Sequence, residues 1–136
     1  MSTPKPRVLI VDEPSVERTA LCHLLEGDFQ VATATAAEAR SVAEAEDSEL
    51  VLVGLATGDA LAVCNSLKSD PATAELPVLL LSVPEDEALE ASALKAGAAD
   101  FLPHPLRAAT VMARIKVHIE NRRFRGILKN LSWLDA

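Results

Sequence analysis

The sequence predicts a doubly wound α/β fold, a single parallel sheet of five strands covered by helices on both faces to make three layers. Three observations carry this expectation. Short apolar runs alternate with stretches of helical spacing from one end of the chain to the other. The run Glu49-Leu-Val-Leu-Val-Gly54 holds no polar side chain from Leu50 to Val53, which suits a parallel strand buried on both faces. No Pro-rich or Gly-rich linker separates one part of the alternation from another, so 136 residues that are 49% hydrophobic make one domain with a proper core.

The elements follow in order. Arg7 to Val11 is the first apolar run, and Pro14 stands where a first helical turn tolerates its missing N–H. Val16, Ala20, Leu21, Leu24 and Leu25 repeat at helical spacing, with Gly27 as a stop. Phe29 to Ala34 reads as the second strand, and Thr35-Ala-Ala-Glu38 is a capping-box pattern that opens a helix to about Ala45. The third strand is the central run.

After Gly54 a short loop leads to a helix from about Asp59, with Leu61, Cys64 and Leu67 facing inward and Asp70-Pro71 ending it. Pro77 to Ser82 is the fourth strand. Glu85, Asp86 and Glu87 crowd the start of the next helix, where the dipole favours negative charge, and Gly97 closes it. Ala99 to Leu102 is a short fifth strand, Pro103-His104-Pro105 breaks the chain, and a last helix resumes near Leu106.

Composition excludes several functions. No run of 18 apolar residues points to a membrane span, and the start Met-Ser-Thr-Pro-Lys-Pro-Arg lacks the apolar core of a secretion signal, so a cytoplasmic protein is expected. Cys22 and Cys64 sit singly in helical patterns and read as core fillers, not as a metal pair or a disulfide framework. The net charge of -7 is unevenly spread: residues 106 to 136 carry seven Lys or Arg against Glu120 and Asp135, so this tail is +5 and the rest is -12. The acidic body and the scarcity of aromatics, three Phe, one Trp and no Tyr, argue against a nucleic-acid binder. Cations spread along so long a helix read as a solvated face.

In an open parallel sheet, reacting groups collect beyond the carboxyl ends of the strands. There the sequence offers Asp12 and Glu13 after strand one, Gly54 after strand three, Ser82 after strand four and His104 beyond strand five. Two adjacent carboxylates hold a hard cation through oxygens and water, and they also cap helices. Both readings stay open from the residues alone.

Five stretches in order, Arg7-Val-Leu-Ile-Val-Asp12-Glu13, Glu49-Leu-Val-Leu-Val-Gly54, Cys64-Asn-Ser-Leu-Lys68-Ser-Asp-Pro71, Leu76-Pro-Val-Leu-Leu-Leu-Ser82 and Ala96-Gly-Ala-Ala-Asp-Phe-Leu-Pro-His-Pro105, resemble the receiver domain of bacterial two-component response regulators over about residues 6 to 120. The resemblance implies a flavodoxin-like fold with strand order 2-1-3-4-5. It implies that Asp12 and Glu13 match the family's magnesium-binding acids, that Ser82 matches the hydroxyl contacting the phosphoryl group, and that Phe101 stands where the family has a rotating aromatic.

The sequence also departs from that pattern. Gly54 occupies the place of the aspartate that accepts the phosphoryl group, and His104 precedes Pro105 where the family has a lysine. Asp59-Ala60 corresponds to the Asp-Gly after the phosphorylation loop, which makes the interval from Gly54 two residues shorter than usual. Acyl-phosphate formation needs a carboxylate nucleophile and nearby cations. Gly54 supplies neither, and two carboxylates that keep most of their waters hold magnesium weakly. His104 replaces part of the lysine charge only when protonated, a minority state near pH 7 for a group of pKa about 6.5. The expected outcome is a degenerate pocket, a pseudo-receiver without a resident cofactor. Ser82 also starts the capping-box pattern Ser82-Val-Pro-Glu85, and Asp59 reads either as a replacement acceptor or as a cap.

The tail adds a second expectation. Met112, Ile115 and Ile119 share a helical face, and Phe124, Ile127, Leu128, Leu131 and Leu134 continue an apolar stripe after a phase change near Arg122-Arg123. The domain is expected to end near residue 120, with 121–136 extending its last helix toward an output domain. Such a stripe seeks a second copy or a following domain. Leu128-Lys-Asn-Leu-Ser-Trp-Leu-Asp135-Ala136 resembles the lead-in to a GGDEF domain, which implies a diguanylate cyclase as that output.

Three functions fit: an adaptor that dimerises and positions an output domain without being phosphorylated; a working receiver with an unorthodox acceptor such as Asp59; and a small-ligand sensor using the vacated pocket. In each, another receiver domain or a histidine kinase is a possible partner. The chain itself is not expected to be an enzyme.

Overall fold

The computed structural model describes residues 4–54, 57–81, 87–102 and 105–131. Five strands form one sheet: β1 (Arg7–Val11), β2 (Gln30–Ala34), β3 (Leu50–Val53), β4 (Val78–Leu80) and β5 (Asp100–Phe101). They pair in the order β2-β1-β3-β4-β5, and every pair is parallel. The order expected from the resemblance is therefore the observed one. Five helices connect or follow the strands: α1 (Val16–Leu25), α2 (Ala39–Ala45), α3 (Thr57–Lys68), α4 (Glu87–Lys95) and α5 (Ala108–Leu131).

The strands divide their side chains between two cores because successive residues of a strand face opposite ways. Leu9, Val11, Val51, Val53, Val78 and Leu80 face a core closed by α2, α3 and α4 through Ala39, Ala43, Val63, Cys64, Leu67 and Ala93. Val8, Ile10, Leu50, Leu52, Leu79 and Leu81 face the other, closed by Leu21 and Leu25 of α1 and Val111, Ile115 and Ile119 of α5. With all four residues of β3 buried, neither face can be polar, which is what its unbroken apolar run encodes. Each such side chain contributes roughly 1.5–3 kcal/mol by leaving water.

Local chemistry sets the ends. Ser15 caps α1 by accepting from the Arg18 N–H at 3.0 Å, and the capping box at Thr35 and Glu38 is present. It opens a 3-10 turn (Ala36–Glu38) before α2, not α2 directly. Gly97 leaves α4 with φ +105, a conformation L side chains avoid. A Cβ there would also meet Lys68 Cγ at 2.7 Å, because the lysine stem lies against it.

The boundaries differ from the sequence expectation in a few places. α3 begins at Thr57, two residues earlier than expected, so Asp59 is inside the first turn and is not its cap. α5 begins at Ala108, not near Leu106. On α5 the fully buried row is Val111, Ile115 and Ile119, with Met112 at its flank. Cys64 is buried and Cys22 half-buried, and neither is bonded to the other. Among the described residues no helix is long and apolar enough to cross a membrane.

α5 runs 24 residues, about 36 Å at 1.5 Å per residue, and Ile119 is its last residue in the core. Beyond it Phe124, Ile127, Leu128 and Leu131 are 60, 56, 53 and 45% exposed. The helix does not drift free, because ion pairs hold the extension to the amino-terminal edge of the sheet. Arg123 grips Glu49 at 2.7 Å and Lys129 reaches Glu75 at 2.6 Å. These cations, and Arg114 on Asp100 at 2.8 Å, pair with carboxylates of the domain while their side chains stay 51, 71 and 45% exposed, so the tail's cationic face is solvated, as expected, and ion-paired as well.

Candidate functional site

The carboxyl ends of β1, β3 and β4 lie side by side. Val11 pairs with Val53 and Val53 with Leu80, and the ladder continues one step further through Gly54 N–H to Val11 O at 2.9 Å and Leu81 N–H to Val53 O at 2.9 Å. Asp12 N–H donates to Ala34 O at 3.0 Å. Asp12, Gly54 and Leu81 are thereby fixed in one row by backbone bonds, before any side chain is considered.

The half-buried Asp12 side chain leans across that row. Its Oδ1 accepts from the Glu13 N–H at 2.8 Å, and its Oδ2 lies 2.6 Å from where a Cβ on Gly54 would stand. A side chain at position 54 would therefore require the Asp12 carboxylate to move aside. Glu13 is exposed. Arg18, in the first turn of α1, donates to Asp12 O at 3.2 Å and brings a guanidinium to this end of the sheet. Sequence patterning did not single out Arg18, since a six-residue separation across a strand end and a cap has no periodic signature.

The other expected residues stand as follows. Phe101, on β5, is partly buried and packs against the core closed by α2, α3 and α4, so a core role is observed for it. Asp59 is exposed on the first turn of α3. Ser82 and His104 lie outside the described residues, as does Leu134. Phe124, Ile127, Leu128 and Leu131 line up on the exposed face of the α5 extension, while Ile119 belongs to the core.

The fold family implies magnesium at this end of the sheet. The described side chains do not fit it. Gly54 offers no oxygen ligand from its side chain, one oxygen of Asp12 is already engaged by a backbone N–H, and among the described residues no group of three His, Cys, Asp or Glu is placed to hold a metal ion. Two neighbouring carboxylates leave a small octahedral cation mostly to water.

Elsewhere one carboxylate is strongly committed. Asp100 on β5 accepts two bonds from Arg114 Nη1, at 3.0 and 2.8 Å, and faces His118 Nε2 at 3.1 Å. Burial pushes its pKa up, but the hydrogen bonds from His118, Arg114 and the Phe101 N–H together outweigh burial and hold the carboxyl below its ordinary value. This pins β5 to α5.

A doubly wound five-stranded parallel sheet in the order 2-1-3-4-5, with an acidic pair where β1 runs out, defines a receiver module of signal transduction. Comparison with known families agrees: the response regulator receiver domain matches residues 8–116, and the chain belongs to that family. The chain is 29% identical over 126 residues to the response regulator PleD of Caulobacter vibrioides, covering 91% of this chain and 28% of PleD. It is 30% identical over 117 residues to the cyclic di-GMP phosphodiesterase response regulator RpfG of Xanthomonas campestris, covering 79% of this chain and 30% of RpfG. Among solved structures, a response regulator from Chloroflexus aurantiacus superposes with a TM-score of 0.76 at 25% identity, over 85% of this chain and 98% of that one. The chain therefore spans less than a third of either curated relative.

Proposed function

We propose that this receiver domain acts without being phosphorylated, as a dimerisation and adaptor module that positions an output domain through α5. The observation that carries the reading is the pairing of Gly54 with Asp12. At the end of the central strand there is no carboxylate to attack a phosphoryl donor, and the Asp12 side chain covers the spot. A receiver of this kind transmits by contact between folded surfaces and not by an acyl phosphate.

The contact surface is the α5 extension. Phe124, Ile127, Leu128 and Leu131 recur at intervals of three and four, the spacing of a coiled-coil seam. Their exposure supports a partner at this face, which with the seam spacing we take to be a second copy of the chain, and the ion pairs at Arg123 and Lys129 fix the direction in which the extension leaves the domain. The output domain we propose is a diguanylate cyclase. This rests on the GGDEF-like lead-in from Leu128 to Ala136 and is in keeping with the cyclic di-GMP signalling in the name of RpfG. The module would work in the cytoplasm.

Incubation with magnesium and acetyl phosphate, followed by intact mass measurement, tests the reading. The expected result is no phosphoryl adduct, and no resonance shift at Asp59 with a beryllofluoride mimic. A stoichiometric mass gain would overturn it.

A further inference from the structure

The end of the molecule opposite Asp12 and Gly54 holds a cleft of about 430 Å³. Its walls come from three places far apart in sequence: Lys68 at the end of α3, the segment Ala74, Glu75 and Pro77 before β4, and Arg122, Arg125 and Lys129 on the α5 extension. Gly97 and Ala99, between α4 and β5, complete it. Among the described residues, four cations therefore share this lining with one carboxylate, in a chain whose net charge is -7.

The side chains carry signs of an unmet anion. Arg122 Nε is buried and has no hydrogen-bond partner among the described residues, a costly state for a charged donor. Lys68 Nζ donates to Ala74 O at 3.0 Å and Leu76 O at 2.6 Å, which leaves one of its three donors for a ligand. Burial, and then the charge of Arg125 acting against the influence of Cys64, push the Lys68 pKa below its ordinary value. Glu75 answers Lys129 directly at 2.6 Å and feels Arg122 and Arg125 only through their charge. Among the described residues, Glu75 is the carboxylate that faces Lys68, Arg122 and Arg125 in this lining.

Guanidinium groups match phosphate oxygens in their fork geometry, and the cleft is of the size that takes a small ligand. Beside the charged rim lie Ala74, Pro77, Gly97 and Ala99, which contribute short apolar groups or bare backbone to the lining. We propose that this cleft binds a phosphate-bearing small molecule of mononucleotide size, its phosphate held by Lys68, Arg122 and Arg125 and its less polar part lying against Ala74, Pro77 and Ala99. The site needs nothing from the Gly54 end of the sheet. Its consequence for signalling does rest on the adaptor reading: the ligand would bridge α5 to α3 and so reinforce the direction that the Arg123 and Lys129 ion pairs give the extension.

Calorimetric titration of the chain at low ionic strength with GMP, AMP and pyrophosphate tests the proposal, since screening weakens such binding. The expected result is saturable one-to-one binding of at least one nucleotide, tighter than pyrophosphate. An Arg122→Gln, Arg125→Gln double variant should lose at least tenfold in affinity, and Lys116→Gln, a cation removed from α5 outside the cleft, should lose none. If the double variant is unfolded by circular dichroism, Arg125→Gln alone, at an exposed residue, should still lose severalfold. Absence of nucleotide binding, pyrophosphate binding as tight as nucleotide, or equal losses in Lys116→Gln and the arginine variants would each overturn it. None of these outcomes bears on whether the chain accepts a phosphoryl group, so this proposal and the adaptor reading fail independently.

Discussion

Asp12 occupies the side-chain space of Gly54: a Cβ built on the glycine would come within 2.6 Å of Asp12 Oδ2 and 3.0 Å of its Cγ. The two residues are neighbours because β1 and β3 are paired through Val11 and Val53. Their relationship decides what can be rebuilt at this end of the sheet.

Gly54→Asp should gain magnesium affinity at a cost in stability. The new carboxylate displaces Asp12 from the Glu13 N–H, a loss of about 1 kcal/mol, and crowds three acids together, which raises their mutual repulsion. Magnesium relieves both effects by taking oxygens from all three. Thermal melts should show the variant less stable than the wild type in chelator and restored by millimolar magnesium, while the wild-type melt does not respond. An equal response of the two proteins would remove Gly54 as the missing ligand.

Gly97→Ala should destabilise far more than Gly54→Ala. Gly97 combines φ +105 with the Lys68 stem, whose Cγ is 2.7 Å from the new methyl position, so strain of about 1–3 kcal/mol is expected. Gly54 is not among the glycines with positive φ. There the displaced Asp12 hydrogen bond is offset by the roughly 0.4–1 kcal/mol gained from a less flexible unfolded chain. Chemical denaturation of the two variants should give that order, and the reverse order would contradict it.

Asp100→Asn should cost roughly 1–2 kcal/mol at neutral pH, since it strips charge from hydrogen bonds to Arg114 and His118 around a carboxylate 23% exposed. The folded protein holds this carboxyl below its ordinary value of 3.8. Its stabilisation is therefore fully present above 3.8 and lost as pH falls through the lower folded value. Denaturation curves of wild type and variant should be separated at neutral pH and converge below the ordinary carboxylate range. A separation that persists below that range would assign the effect to some other group.

Leu131→Asp should weaken self-association without unfolding the domain. Leu131 is 45% exposed and lies beyond Ile119, the last α5 residue in the core. A charge placed in an apolar seam opposes pairing of two helices. Sedimentation should show a dimer for the wild type and at least a tenfold weaker one for the variant, with Phe124→Asp acting alike. Unchanged sedimentation of both would remove the α5 extension as the contact.

Much of this molecule was legible in the linear sequence because its signals are local. An all-apolar run such as Leu50 to Val53 can only be satisfied between two covered faces. The spacing of Leu21 and Leu25, or of Ile115 and Ile119, marks which side of a helix the core takes. The carboxyl end of β3 was likewise identifiable as a glycine, since the residue closing a central strand is read directly from the chain. Boundaries at α3 and α5 shifted by two residues, as helix ends depend on loop contacts that periodicity does not record.

What the sequence determined by itself was the alternation of strands and helices, the two apolar faces of the sheet, and the lack of a side chain at position 54. Tertiary structure alone decided that the Asp12 carboxylate lies beside Gly54, that Asp100 is gripped by Arg114 and His118, and that Lys68 meets Arg122 and Arg125 around one cleft. Secondary structure follows from interactions a few residues long, whereas these meetings join residues separated by tens of positions, whose distances are set only when parallel crossovers bring strand ends and helix ends together.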